Sequence, residues 1–107
     1  MQHMDNDTKK NIKDKIRGAI ENNPDRQIIK RAMLFGSYAY GSPNSDSDID
    51  LIVELDPSVK VGFFKFAEIQ RTLGEYAGKK VDLLTKESLS KYFRDEVLSK
   101  AELVYEG

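Results

Sequence analysis

The chain has 107 residues, with 17 Lys and Arg against 18 Asp and Glu, a single His and a net charge of −1. That length suits one small domain, and a balanced charge argues against a basic nucleic-acid-binding surface. Cys is absent, which excludes disulfides, thiolate metal sites and thiol nucleophiles. No apolar run approaches the ~20 residues that span a bilayer, and no signal-peptide core is visible, so a cytoplasmic protein is expected.

In chain order, residues 1–6 read as a frayed polar end that includes His3. Ile12, Ile16 and Ile20 recur every four residues, which predicts a helix from about Asp7 to Asn22 with one apolar stripe. Pro24 stops it, because the residue before a proline is pushed out of the helical region. A first strand lies within Ile28 to Phe35 and ends at Gly36. Residues 37–47 are rich in Gly, Ser, Pro, Asn and Asp and read as a loop, with one helical turn possible over Ser37 to Tyr40. A second strand covers Asp48 to Leu55. A helix follows from about Val59 to Tyr76, with Phe66, Ile69, Leu73 and Tyr76 as its core stripe and Gly78 as its C-cap. Phe66 is placed in the core, whereas Phe63 or Phe64 lies under the sheet or faces a partner. Val81 to Leu84 form a third short strand. Thr85 is the expected N-cap of a last helix from Lys86 to Lys100, and Leu103 to Tyr105 form a closing strand. The order α-β-β-α-β-α-β predicts one α/β (α+β) domain, a small mixed sheet with helices packed on it.

The chemistry concentrates in Gly36-Ser37, ten intervening residues, then Asp48-Ile49-Asp50. Residues two apart on a strand share a face, so Asp48 and Asp50 project together. Their like charges repel unless a cation lies between them. Mg²⁺ meets that need, since it binds through one or two carboxylates plus substrate phosphates. Two such ions held by shared carboxylates stabilise both attacking and leaving oxygens in phosphoryl chemistry. A third carboxylate should come from an adjacent strand. Asp82, inside the apolar run Val81 to Leu84, is either that ligand or a strand-edge residue facing water. Gly36 allows close backbone approach, and the Ser37 hydroxyl with the N–H groups after it can donate to a triphosphate. Lys79-Lys80 beside Asp82 either attract phosphate or are a solvated pair after a glycine turn. Tyr38 and Tyr40 either stack on a base or pack. An EF-hand beginning at Asp46 fails, because Leu51 and Pro57 replace the required Gly and Glu. A P-loop fails too, because Ser42-Pro43 replace Lys-Ser/Thr.

Gly36, Ser37, Asp48 and Asp50 at this spacing resemble the polymerase-β-like nucleotidyltransferase superfamily. Within it, the chain resembles the minimal nucleotidyltransferase (MNT) domain, the antitoxin half of HEPN/MNT toxin–antitoxin pairs, from about Ile28 onward. The resemblance implies that Gly36 and Ser37 bind ATP, and that Asp48, Asp50 and Asp82 are the catalytic, Mg²⁺-binding carboxylates. It implies transfer of AMP from ATP to a protein hydroxyl, commonly a tyrosine of a HEPN RNase toxin, within a hetero-oligomer. One departure is Tyr40, where many such domains carry Arg. Two alternatives stand beside this. One is a module that neutralises its partner by occlusion with little or no catalysis. The other is a small-molecule nucleotidyltransferase, which normally adds a second domain that 107 residues leave no room to build.

Overall fold

The computed structural model describes residues 4–36 and 48–107. The expectations for Ser37, Tyr38, Tyr40 and the 37–47 loop lie outside these residues. Helix α1 (Met4–Glu21) leads into strand β1 (Ile29–Phe35). Strand β2 (Ile49–Leu55), helix α2 (Phe63–Ala77) and strand β3 (Val81–Thr85) follow. A 3₁₀ turn (Lys86–Ser88), helix α3 (Lys91–Lys100) and strand β4 (Glu102–Glu106) complete the domain. The expected order is borne out, with the 3₁₀ turn added.

The sheet runs β3-β2-β1-β4. β1 pairs antiparallel with β2 and with β4, while β2 pairs parallel with β3. The sheet is therefore mixed, and α2 makes the crossover that a parallel pair requires. Ile12, Ile16 and Ile20 of α1 are all buried, as their spacing predicts. They join Ile69, Leu73 and Ala77 of α2 and Leu34, Ile49, Leu51, Val53, Val81 and Leu83 of the sheet in one core. Polar contacts fix the layers. Lys13 Nζ meets Glu102 Oε1 at 2.9 Å, and Arg17 Nε donates to the Val104 carbonyl at 3.1 Å, tying α1 to β4. Asn23 is buried and satisfied: its Nδ2 donates to Thr72 Oγ1 at 2.9 Å and its Oδ1 accepts from the Asp25 N–H at 2.8 Å. On β3, Gln70 Oε1 accepts from the Leu83 N–H at 2.9 Å.

Three boundaries and one core position differ from expectation. α1 begins at Met4 rather than near Asp7, so residues 4–6 are helical. α2 begins at Phe63 rather than Val59. The chain stays turned there because Asp56 Oδ1 accepts from the Ser58 N–H at 2.9 Å and the Ser58 hydroxyl at 2.8 Å, a local bond that competes with helix. Thr85 makes no cap hydrogen bond; it ends β3, and Ser90 caps α3 through its Oγ, which accepts from the Tyr92 N–H at 3.3 Å. Tyr76 is 56% exposed, and Ala77 takes the core position instead, because Ile69, Leu73 and Ala77 keep the four-residue spacing of one helix face. Gly78 is the C-cap as expected, at φ +74° with its N–H donating to Gly74 O at 2.8 Å. Phe66 packs partly buried against the core, whereas Phe63 and Phe64 are both exposed. Among the described residues no helix is long and apolar enough to cross a membrane.

Candidate active site

The site is built by strand register. Phe35 of β1 lies opposite Asp50 of β2, and Asp50 lies beside Asp82 of β3. Ile49 and Val81, the flanking pair, are buried in the core. Period-two alternation therefore turns Asp48, Asp50 and Asp82 to the opposite face of the sheet. The two Asp residues predicted to project together do so, and register brings Asp82 to them. Asp82 lies on the edge strand β3, half-buried, and acts electrostatically on Asp50.

Gly36 closes β1 at φ +76°, in the left-handed region that favours glycine. A Cβ placed on it would overlap Asp50 Oδ2. The glycine thus serves a turn and a close approach at once, leaving Asp50 room to lie against the backbone. Ser37 lies outside the described residues.

Burial pushes the Asp50 carboxyl above its ordinary range, and the charges of Asp82 and then Asp48 push it the same way. That is the repulsion the sequence implied, and a bound cation would relieve it. Among the described residues, no three His, Cys, Asp or Glu side chains close around one point as a ready metal cage. The arrangement still fits Mg²⁺. The donors are all hard oxygens, their mutual repulsion calls for a cation, and Mg²⁺ completes its shell with water and substrate phosphates. Asp48 and Asp50 could hold it, with Asp82 beside them.

Lys80 sits at the rim. Its carbonyl accepts from the Ile49 N–H at 2.9 Å, and its Nζ lies 4.0 Å from Asp48 Oδ2. The sequence left Lys80 between phosphate attraction and simple solvation. Its two-residue spacing from Asp82 was the signal that it shares the acidic face. An apolar recess of about 360 Å³ lined by Leu55, Val61, Phe63, Phe66 and Leu84 lies at the other end of β2 and β3, away from this chemistry.

Comparison with known proteins identifies the family. Residues 13–104 match the nucleotidyltransferase domain family model. A Methanocaldococcus jannaschii protein, MJ1379, assigned by name as a protein adenylyltransferase, is 42% identical over 65 residues, covering 61% of this chain and 65% of its own length. The protein adenylyltransferase MntA of Thermococcus cleftensis is 35% identical over 79 residues, covering 72% of this chain and 74% of its own. Among solved structures, a minimal nucleotidyltransferase superposes with a TM-score of 0.65 at 29% identity, covering 79% of this chain and 85% of that one. A toxin–antitoxin complex with AMP-PNP gives 0.68 at 24%, covering 89% and 73%. An MNT antitoxin in complex with a tri-AMPylated Shewanella oneidensis HEPN toxin gives 0.62 at 21%, covering 92% and 73%. At those last two identities the likeness is one of fold. The chain belongs to the nucleotidyltransferase domain family and is a homologue of the protein adenylyltransferases.

Proposed function

We propose that this domain transfers AMP from ATP, with Mg²⁺, to a hydroxyl of a HEPN toxin, most naturally a tyrosine, and so acts as an antitoxin in the cytoplasm. The observation that carries the reading is Asp50, crowded by Asp48 and Asp82 beside the positive-φ Gly36. In the reaction the acceptor oxygen attacks the α-phosphorus. A new P–O bond forms, the bond to the bridging oxygen toward the β-phosphate breaks, and pyrophosphate leaves. Mg²⁺, when bound, supplies positive charge for the phosphate oxygens as negative charge develops. The chain's own residues do the rest. Asp48 and Asp50 would hold the cation, Gly36 gives Asp50 room to lie against the backbone, and Asp82 stands ready to take the hydroxyl proton. Ser37, next to Gly36 in sequence, is assigned to the triphosphate. The toxin–antitoxin neighbours and the relatives named protein adenylyltransferase support the partner and the reaction.

The test is intact-mass spectrometry of the protein encoded beside this one, after incubation with this chain, ATP and Mg²⁺. The expected result is a gain of one or more AMP units that disappears with Asp48→Asn. A stable complex without mass gain would overturn the catalytic reading in favour of neutralisation by occlusion.

A further inference from the structure

Lys80 carries the one inference that goes further, and it rests on the nucleotide site proposed above. β2 and β3 pair in parallel with Ile49 beside Val81 and Asp50 beside Asp82. One step back along both strands, Asp48 and Lys80 are neighbours, and the Ile49 N–H to Lys80 carbonyl bond of 2.9 Å fixes that step. The parity that turns Asp82 to the acidic face also turns Lys80 there. Its ammonium lies 4.0 Å from Asp48 Oδ2, with its side chain 70% exposed at the rim. Asp50 and Asp82 are more deeply set than this rim.

An ammonium and a divalent cation compete for one carboxylate. When Mg²⁺ takes Asp48, the ammonium is repelled by the ion and loses its partner. It remains at the mouth of the site on a flexible four-carbon stem, as a point charge suited to phosphate. We infer that Lys80 is a counter-ion that exchanges partners: it pairs with Asp48 before metal binds, then with the β,γ-phosphate tail of the nucleotide. The deeper carboxylates would face the reacting α-phosphate, and the rim lysine the leaving pyrophosphate.

The exchange makes opposite demands on the two ligands, which a purely structural lysine would not. Calorimetric titration of the full chain with Mg²⁺ alone, and then with a non-hydrolysable ATP analogue or AMP at saturating Mg²⁺, reads both. In Lys80→Gln, Mg²⁺ alone should bind as well as in wild type or up to about fivefold tighter, the range of an exposed ion pair. The analogue should bind about tenfold more weakly, as for a lost hydrogen bond to a charged group. AMP should change less than about twofold, and Lys80→Arg should restore analogue binding. Unchanged analogue affinity in Lys80→Gln, with wild type binding normally, would overturn this inference alone. Equal weakening of AMP and the analogue would overturn the assignment to the phosphate tail. Weaker Mg²⁺ binding would overturn the competition. A wild-type chain that binds neither Mg²⁺ nor the analogue would overturn the proposed function and this inference with it.

Discussion

On β2 and β3, Ile49, Leu51, Val53, Val81 and Leu83 enter the helix-covered core, while Asp48, Asp50 and Asp82 between them point the other way. The first set is chosen for volume and apolarity. The second half-buries Asp50 with Asp82 and Asp48 close enough to push its carboxyl up, an arrangement that lowers stability in the free protein. Farther along the same face, Ile52 and Met33 are cross-strand partners and both buried. The acidic patch is therefore confined to one end of the sheet, where β1 stops at Gly36. One short stretch of chain thus holds a stability surface and a chemical surface separated only by side-chain parity, and substitutions on the two should have opposite signatures.

The largest effect expected is on the chemical side. Asp48→Asn should lower AMP transfer by about 10²–10³-fold or more, the scale for losing one preorganised electrostatic group, with the fold intact by circular dichroism. On the other parity, Leu51→Ala should cost about 2–5 kcal/mol of stability, as buried Leu truncations do, read by urea unfolding. Whatever fraction stays folded should keep its nucleotide affinity. If Leu51→Ala impaired nucleotide binding at full folding, the separation of faces would be wrong. Gly36→Ala tests where the surfaces meet. It combines a positive φ with a Cβ overlapping Asp50 Oδ2, so about 1–3 kcal/mol of stability should go, together with Mg²⁺-dependent nucleotide binding. The smallest effect is in pH. Asp50 has its carboxyl raised in the folded state, so the folded protein holds that proton more tightly than the unfolded chain. Its charge therefore weakens stability as pH rises above the ordinary Asp range near 4. The stability gap between Asp50→Asn and wild type should open in favour of the variant over that rise, as measured by thermal unfolding at stepped pH without Mg²⁺.

Much of this contrast is legible in the sequence, because period-two alternation around Asp48-Ile49-Asp50 is a local signal, and so is the four-residue spacing of Ile12, Ile16 and Ile20. What is not local was harder to read. Asp82 joins Asp50 only through the parallel pairing of β2 with β3 across an intervening helix, and no spacing rule gives that register. Lys80 shares the parity of Asp82 in the sequence, but only the same register places it beside Asp48. The misplaced helix ends have a similar cause. Thr85 looked like a cap by type, but β-pairing with Val53 claims it, and Ser90 caps α3 instead. Tyr76 fits a helical stripe by hydrophobicity, yet it lies on the flank, with its hydroxyl over Gly18 of α1. The start of α2 was set by the Asp56–Ser58 turn, which composition alone does not distinguish from a helix's first turn.

The most direct test of the central claim is thermal unfolding of wild type and Asp50→Asn, each alone and with Mg²⁺ and a non-hydrolysable ATP analogue. Asp50→Asn alone should melt at or above wild type, and Mg²⁺ with the analogue should raise the wild-type Tm but leave the variant's unchanged. Equal ligand-induced shifts in both proteins, or a variant that melts well below wild type with no ligand present, would contradict that claim.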